Sequence, residues 1–267
     1  MLDQRTTPIA MPRTRRPRLR ATILIAFLVI AAVLGYVLFR VGTGDAPAAE
    51  RRDATVVFDR TSGEQVIGVG GAERFRTASV VKLFIALDAV TRKASRTDES
   101  QIHRMLAKSD DAVANTLWTR NGGPAIVTRT AAVVGLKNTT PPADPGRWGD
   151  TLSTADDVAA VYRHVLGLPK AKRNVVLEPL RRATRTATDG FDQHFGIPSA
   201  FPGRPWAVKQ GWAAGRGSVD AHTTGLVGDG DRYIVVMLSA FADGTSLDVA
   251  TAAVTSSAVA LAPRLRN

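Results

Sequence analysis

Apolar and polar positions divide the chain near residue 54. Residues 21–39 (ATILIAFLVIAAVLGYVLF) run for nineteen positions without a charge. As a helix this stretch spans about 29 Å, close to the ~30 Å hydrocarbon core of a bilayer. Beyond it the patterns are those of a folded domain. Residues 55–59 (TVVFD) and 65–69 read as strands joined by a turn at Ser62-Gly63. Val80, Leu83, Phe84, Leu87 and Val90 share one face of a helix starting near Ser79. A polar helix over 98–107 follows. Another opens at Ser109, with Val113, Leu117 and Trp118 facing inward, and breaks at Gly122-Gly123-Pro124. A helix over 124–134 closes on Gly135, and 137–152 is a Pro/Gly-rich loop. Ser153-Thr154-Ala155-Asp156 has the chemistry of a helix cap, for a helix reaching 166. A helix over 170–183, a loop over 187–204 and strands over 206–209, 222–227 and 233–238 come next. The last two strands are linked by a turn at Gly228-Asp229-Gly230-Asp231, and a helix over 246–262 follows.

Two strands, a cluster of helices, three strands and a helix specify an α+β fold. The expected form is an antiparallel sheet of five strands flanked by helices, with an all-helical lobe and a cleft between lobe and sheet. The expected organisation is a basic cytoplasmic N-terminus (1–20), a transmembrane helix or signal segment (21–39), a linker (40–54) and a domain over 55–267.

Charge and composition sharpen this picture. The chain has 267 residues and a formal net charge of +11, but nine arginines against Asp3, Asp45 and Glu50 place +6 of it in residues 1–52. Arg13, Arg15, Arg16, Arg18 and Arg20 precede the apolar run, whereas Arg40 alone follows directly, so the positive-inside rule keeps the N-terminus cytoplasmic and exports the domain. The run is longer than a typical signal core, which favours an uncleaved anchor. Ala46-Pro47-Ala48 keeps cleavage open, and Thr14 to Arg20 resembles a degraded twin-arginine signal. The remaining +5 gives no reason to expect nucleic acid. With no cysteine, the 267 residues exclude disulfides, a thiol nucleophile and a lipidated cysteine.

Ser79-Val80-Val81-Lys82 carries the candidate chemistry. At the start of a helix, Lys82 lies one turn beyond Ser79 on the same face. A serine becomes a nucleophile when a neighbouring base takes its proton, and a desolvated lysine is such a base. The chain around this tetrad resembles the class A β-lactamase and penicillin-binding serine hydrolases over 54–262. TVVFDRTSGEQVIGVGGAERFRTAS leads into SVVKLFIALDAV as that family's first strands lead to its nucleophile. MLAKSDDAVANTLWTRNGGP is similar to the second-motif helix, with Ser109-Asp110-Asp111 where Ser-x-Asn is usual. DTLSTADDVAAVYRHVL follows the family's active-site loop. WAVKQGW and TTGLVGDGDRYIVVML resemble the third motif, with Lys209-Gln210-Gly211 where Lys-Thr/Ser-Gly is usual.

The resemblance implies a β-lactamase/transpeptidase-like sheet and a set of roles. Ser79 is acylated, Lys82 takes or relays its proton, and Ser109 passes a proton to the leaving nitrogen. Asp111, Lys209, Gln210, Gly211 and Trp212 bind substrate, Lys209 by holding the substrate's carboxylate, and the N–H groups of Ser79 and Trp212 form an oxyanion hole. It implies no cofactor and no metal. The substrate is a β-lactam or a peptidoglycan stem peptide, met outside the cytoplasm by a domain held at the membrane.

Three departures matter. Asp111 stands where an Asn donates to the substrate amide; a carboxylate only accepts, and it raises the pKa of a neighbouring Lys82. Gln210 replaces a hydroxyl. The family's β-lactamases use a loop Glu to activate the deacylating water, but between Gly135 and Thr151 this chain has only Asp144 and Asp150, so slow deacylation is expected. Ser79 and Ser109 also stand closer in sequence than is usual, implying a more open site. These departures keep a second reading open, a catalytically impaired module that binds or scaffolds in the envelope. His103, His164, His194 and His222 show no metal spacing. His222 is the one placed to face the cleft, and a Ser-His-Asp arrangement stays open. Trp148 and Trp212 are packing residues or cleft walls.

Overall fold

The strand Tyr233–Ala242 alternates between two apolar sets, Ile234, Val236 and Leu238 on one side and Tyr233, Val235 and Met237 on the other. Such a strand must be covered on both faces, and it lies at the centre of the sheet. The computed structural model of the chain describes residues 51–92 and 94–265. The expected 21–39 helix lies outside the described residues. Among the described residues no helix is long and apolar enough to cross a membrane.

In chain order the strands are β1 (Arg52–Asp59), β2 (Glu64–Val69), β3 (Phe75–Arg76), β4 (Leu152–Ser153), β5 (Trp206–Gly215), β6 (Ser218–Val227) and β7 (Tyr233–Ala242). The helices are α1 (Lys82–Thr91), α2 (Arg96–Ala107), α3 (Asp111–Arg120), α4 (Ala125–Val134), α5 (Ala155–Gly167), α6 (Lys170–Arg181), the single turn α7 (Ile197–Ala200) and α8 (Leu247–Leu261). Five strands form the main sheet in the order β2-β1-β7-β6-β5, and every neighbouring pair is antiparallel. The expected α+β class and five-stranded antiparallel sheet are therefore present.

One core joins the sheet to α1, α5 and the helical lobe through Phe84, Leu87, Ile102, Leu106, Leu117, Val158, Val161 and Leu238. A second lies under α8 and α7, with Val57, Val208, Val235, Phe201 and Leu261. Helix α1 is buried from Lys82 to Val90, Asp88 included, because helices α2–α6 pack around it. The apolar face read from the sequence covers only part of that burial.

The structure corrects several local readings. Ser79 does not open an α-helix: it lies in a 3-10 turn, Ala78–Val81, and α1 begins at Lys82. The helix expected at Ser109 starts at Asp111. Its N-cap is Asp110, whose side chain accepts from the Val113 N–H at 3.0 Å. Ser109 instead adopts a left-handed backbone, φ +51°. Strands β5 and β6 run further than apolar alternation alone suggests, because pairing through Trp212↔Ala221 to Gly215↔Ser218 satisfies their backbone regardless of side-chain type. The two-residue pair β3 and β4 was not legible as strand at all.

Candidate active site

Three segments meet beside α1. The 3-10 turn presents Ser79, the bend before α3 presents Ser109, and edge strand β5 presents Lys209. In a 3-10 turn side chains three apart eclipse, so the Ser-x-x-Lys spacing brings Lys82 Nζ to 2.8 Å from Ser79 Oγ. Lys82 Nζ also donates to Ser109 O at 2.7 Å and Ser109 Oγ at 3.1 Å, and contacts Asp111 Oδ1 at 2.5 Å. Ser109 Oγ accepts a further bond from Lys209 Nζ at 3.0 Å. Ser79, Lys82, Ser109 and Lys209 thus form one continuous hydrogen-bonded chain. Backbone at positive φ brackets it, with Ala78 at +44° just before Ser79 and Ser109 itself at +51°. For residues with a side chain these are costly conformations, held here by buried surroundings on both sides.

Gly211 lets β5 come this close. A Cβ there would sit 2.9 Å from Thr77 O, 3.0 Å from Val80 Cγ2 and 3.2 Å from His222 Cδ2. Any side chain would push the strand off the nucleophile turn.

Burial sets the electrostatics. Lys82 is fully buried, and desolvation pushes its ammonium below the ordinary lysine range. Asp111, then the more distant Asp189 and Asp110, oppose that shift without reversing it. The raising effect of Asp111 expected from the sequence is present, but burial outweighs it. Lys209 is pushed down further, first by burial and then by repulsion from Lys82, and Asp111 and Asp189 resist only partly. Lys82 is paired with a carboxylate, whereas among the described residues Lys209 Nζ bonds only the neutral oxygens Ser109 Oγ and Gln210 O.

The cleft above Ser79 has a volume of about 320 Å³ and is lined by Ser79, Asp111, Trp148, Asp189 and Trp212, among others. Trp148, from the 137–152 loop, lies over Lys82 with its ring centre 4.9 Å from Nζ, and its indole N–H donates to Asn115 Oδ1 at 2.7 Å. That loop is tied down at its start by Asp157, whose carboxylate accepts from the N–H groups of Lys137 and Asn138 and from Thr139 Oγ1. On the far wall Phe191 stacks on Trp212 at 4.9 Å.

Two sequence candidates are turned elsewhere. Gln210 donates to Phe195 O at 2.5 Å, and its buried Oε1 has no hydrogen-bond partner, so its amide belongs to the 195–197 loop contact. His222 does not face Ser79. Its Nε2 bonds Arg76 O at 2.7 Å while Nδ1 accepts the Ser239 N–H at 3.1 Å, and burial pushes its pKa down. No Ser-His-Asp arrangement forms with it. Of the two loop carboxylates, Asp144 caps the Gly146 N–H at 2.9 Å, and Asp150 pairs with Arg147 at 2.8 Å and Arg216 at 3.2 Å. Among the described residues no cluster of His, Asp or Glu could hold a metal ion. Sequence reasoning missed Asp189, on an exposed loop with no motif, and the Arg76–Asp220 ion pair at 2.7 Å, which joins β3 to β6.

No protein-family model matches the chain. It is 39% identical over 211 residues to proteins of Mycobacterium bovis and Mycobacterium tuberculosis named "Putative lipoprotein LppW"; the match spans 75% of this chain and 67% of each relative. Among solved structures it is similar to a β-lactamase from Chitinophaga pinensis, with a TM-score of 0.66 at 14% identity over 81% of this chain and 94% of that one. The class A β-lactamase from Mycobacterium abscessus gives 0.62 at 21% identity, covering 80% and 93%. The β-lactamase from Streptomyces albus G gives 0.63 at 20%, covering 85% and 97%. At these identities the structural likeness is one of fold, and it agrees with the order of motifs around Ser79, Ser109 and Lys209. The chain belongs to the family of the mycobacterial LppW proteins, and its fold is that of the class A β-lactamases.

Proposed function

We propose that the chain is a serine acyl-transfer hydrolase whose nucleophile is Ser79, acting on a β-lactam or the amide of a cell-wall stem peptide. The observation that carries this reading is the unbroken path Ser79 Oγ–Lys82 Nζ–Ser109 Oγ–Lys209 Nζ, with links of 2.8, 3.1 and 3.0 Å, at the floor of a cleft. With Lys82 neutral, it takes the Ser79 proton as Oγ attacks the carbonyl carbon. The carbonyl electron pair collects on oxygen, facing the N–H groups of Ser79 and Trp212. As the C–N bond breaks, Ser109 gives its proton to the departing nitrogen and recovers one from the lysine pair. An ester on Ser79 remains. Lys209 supports the buried positive potential and orients Ser109, and Gly211 admits β5 to the site.

Hydrolysis of the ester is slow in this reading. Asp144 is spent on its own loop, Asp150 is held by arginines, and the Trp148 indole covers Lys82 where water would approach. The domain works outside the cytoplasm, held by the 21–39 helix. The relatives carry lipoprotein in their name, and in this chain the apolar run over 21–39 is long enough to serve as the anchor.

A second reading is favoured by the Asp111–Lys82 contact and the diverted Gln210: an impaired module that binds without turnover in the envelope. Intact-mass analysis of the full chain after incubation with benzylpenicillin separates the two. A one-to-one adduct that disappears in Ser79→Ala is expected; no adduct at millimolar concentration would overturn the acyl-enzyme reading.

A further inference from the structure

Two carboxylates of the cleft, Asp111 and Asp189, keep free acceptor oxygens beside Ser79's pocket, whereas the cleft's arginines face carboxylates of their own. Both indoles of its walls have spent their N–H groups internally, Trp148 on Asn115 and Trp212 on Asp189 Oδ2 at 3.2 Å. The arginines in and beside the cleft are each paired with a carboxylate. Arg76 pairs with Asp220 and donates to the backbone oxygens of Gly215 and Ser218. Arg147 and Arg216 pair with Asp150. Lys82 and Lys209 are buried beneath the surface and committed to Ser109.

Two carboxylates remain. Asp111 uses Oδ1 on Lys82, yet its side chain is 62% exposed, and Oδ2 has no hydrogen bond among the described residues. Asp189 accepts from the Phe191 N–H at 3.0 Å and from Trp212, and among the described residues it has no ion pair. Both line the same cleft as Ser79. A carboxylate can only accept a hydrogen bond, so at both points the ligand must supply the donor. The aromatic walls, stiffened by the Phe191–Trp212 stack, displace water and strengthen the attraction between these carboxylates and a cation.

We infer that the cleft selects amides carrying an ammonium group in the acylamino side chain on the carbonyl side of the bond that Ser79 attacks. This rests on reading Ser79 as the nucleophile and adds the class of substrate. Asp111 and Asp189 are its specificity residues, both in the lining of the nucleophile's cleft.

Three penicillins with the same phenylacetyl frame test it: ampicillin bears an α-ammonium, benzylpenicillin nothing, and carbenicillin an α-carboxylate. Two readouts are taken on the full chain. One is the second-order rate of acylation of the wild type by intact mass. The other is non-covalent binding to Ser79→Ala, followed by fluorescence of the cleft tryptophans. At low salt the expected order in both is ampicillin, benzylpenicillin, carbenicillin, with about a tenfold span between the charged extremes, the size expected of partly exposed charge pairs. Asp189→Asn is expected to compress that span severalfold, as is added salt. An equal or reversed order in the binding experiment overturns the inference. Acylation without any order overturns the selectivity and leaves the acyl-enzyme standing. The binding order without any acylation overturns the acyl-enzyme and leaves the selectivity. Neither binding nor acylation counts against both.

Discussion

Replacing Asp111 by Asn removes the one full charge bonded to Lys82 while keeping the shape of the side chain. At 2.5 Å the attraction between unit charges is about 7 kcal/mol at an effective dielectric of ~20 and about 2 kcal/mol at that of water. Lys82 is fully buried but Asp111 is 62% exposed, so solvent screens the pair and the lower figure applies. Losing about 2 kcal/mol of preference for the ammonium multiplies the neutral fraction of Lys82 by about 30. The sign is fixed: Asp111 holds the proton on Lys82, and its loss releases that proton at lower pH. Only the neutral amine accepts the Ser79 proton, but the amine so released is also a weaker base, so acylation by benzylpenicillin at pH 7 is expected to rise by less than that, about tenfold, in Asp111→Asn. The acid limb of the rate profile is expected to move to lower pH. The assay is intact mass against time over pH 5–9, with a thermal melt to confirm that the variant is folded. A folded variant whose acylation is unchanged or slower, with its acid limb in place, refutes the role given to Asp111.

Three further changes probe separate parts of the site. Gly211→Ala drives a Cβ to 2.9 Å from Thr77 O, and the resulting displacement of β5 should slow acylation by about 10², measured by the same adduct kinetics. Trp148→Ala uncovers Lys82 and should shorten the half-life of the penicilloyl adduct by about tenfold, equivalent to about 1.4 kcal/mol of barrier; a half-life equal to wild type would remove Trp148 from water exclusion. His222 is buried with its pKa depressed from 6.5, so below that pH the unfolded chain takes up a proton that the folded one refuses. Its stabilising contribution is complete above about pH 6.5 and declines towards the folded pKa, by up to about 1.4 kcal/mol per pH unit. Melts between pH 7 and 5 should fall less steeply for His222→Gln; identical slopes would show that another group carries the acid sensitivity.

Much of the architecture is legible along the chain because the information is local. The alternation of TVVFD and YIVVML, the αL stop at Gly135 and the Thr154 cap act over a few residues, and each gave its element where expected. Ser79-Val80-Val81-Lys82 is local in the same sense, since the i to i+3 geometry of a tight turn brings hydroxyl to amine whatever the fold around it. Pairing of β3 with β4 is different. Two residues have no periodicity, and their partners lie about 75 positions away.

What the tertiary structure alone decided follows from burial and from long-range approach. Ser109 and Lys209 are bonded although 100 residues separate them, and nothing near either residue announces the other. The net direction of the Lys82 shift came from desolvation outweighing a nearby carboxylate, and desolvation depends on the helices packed around α1, not on its neighbours in the chain. Gln210 and His222 stand beside the third motif and on the strand paired with it, yet face other partners. A strand fixes which side of the sheet a residue occupies, and the covering loop fixes what it meets there. Asp189 and Trp148 reach the cleft only because two loops fold over it. The sequence by itself therefore determined the elements, their order and the residue types able to do acyl chemistry. The folded chain determined which of them converge, which are consumed by internal bonds, and hence what charge the cleft offers to a substrate.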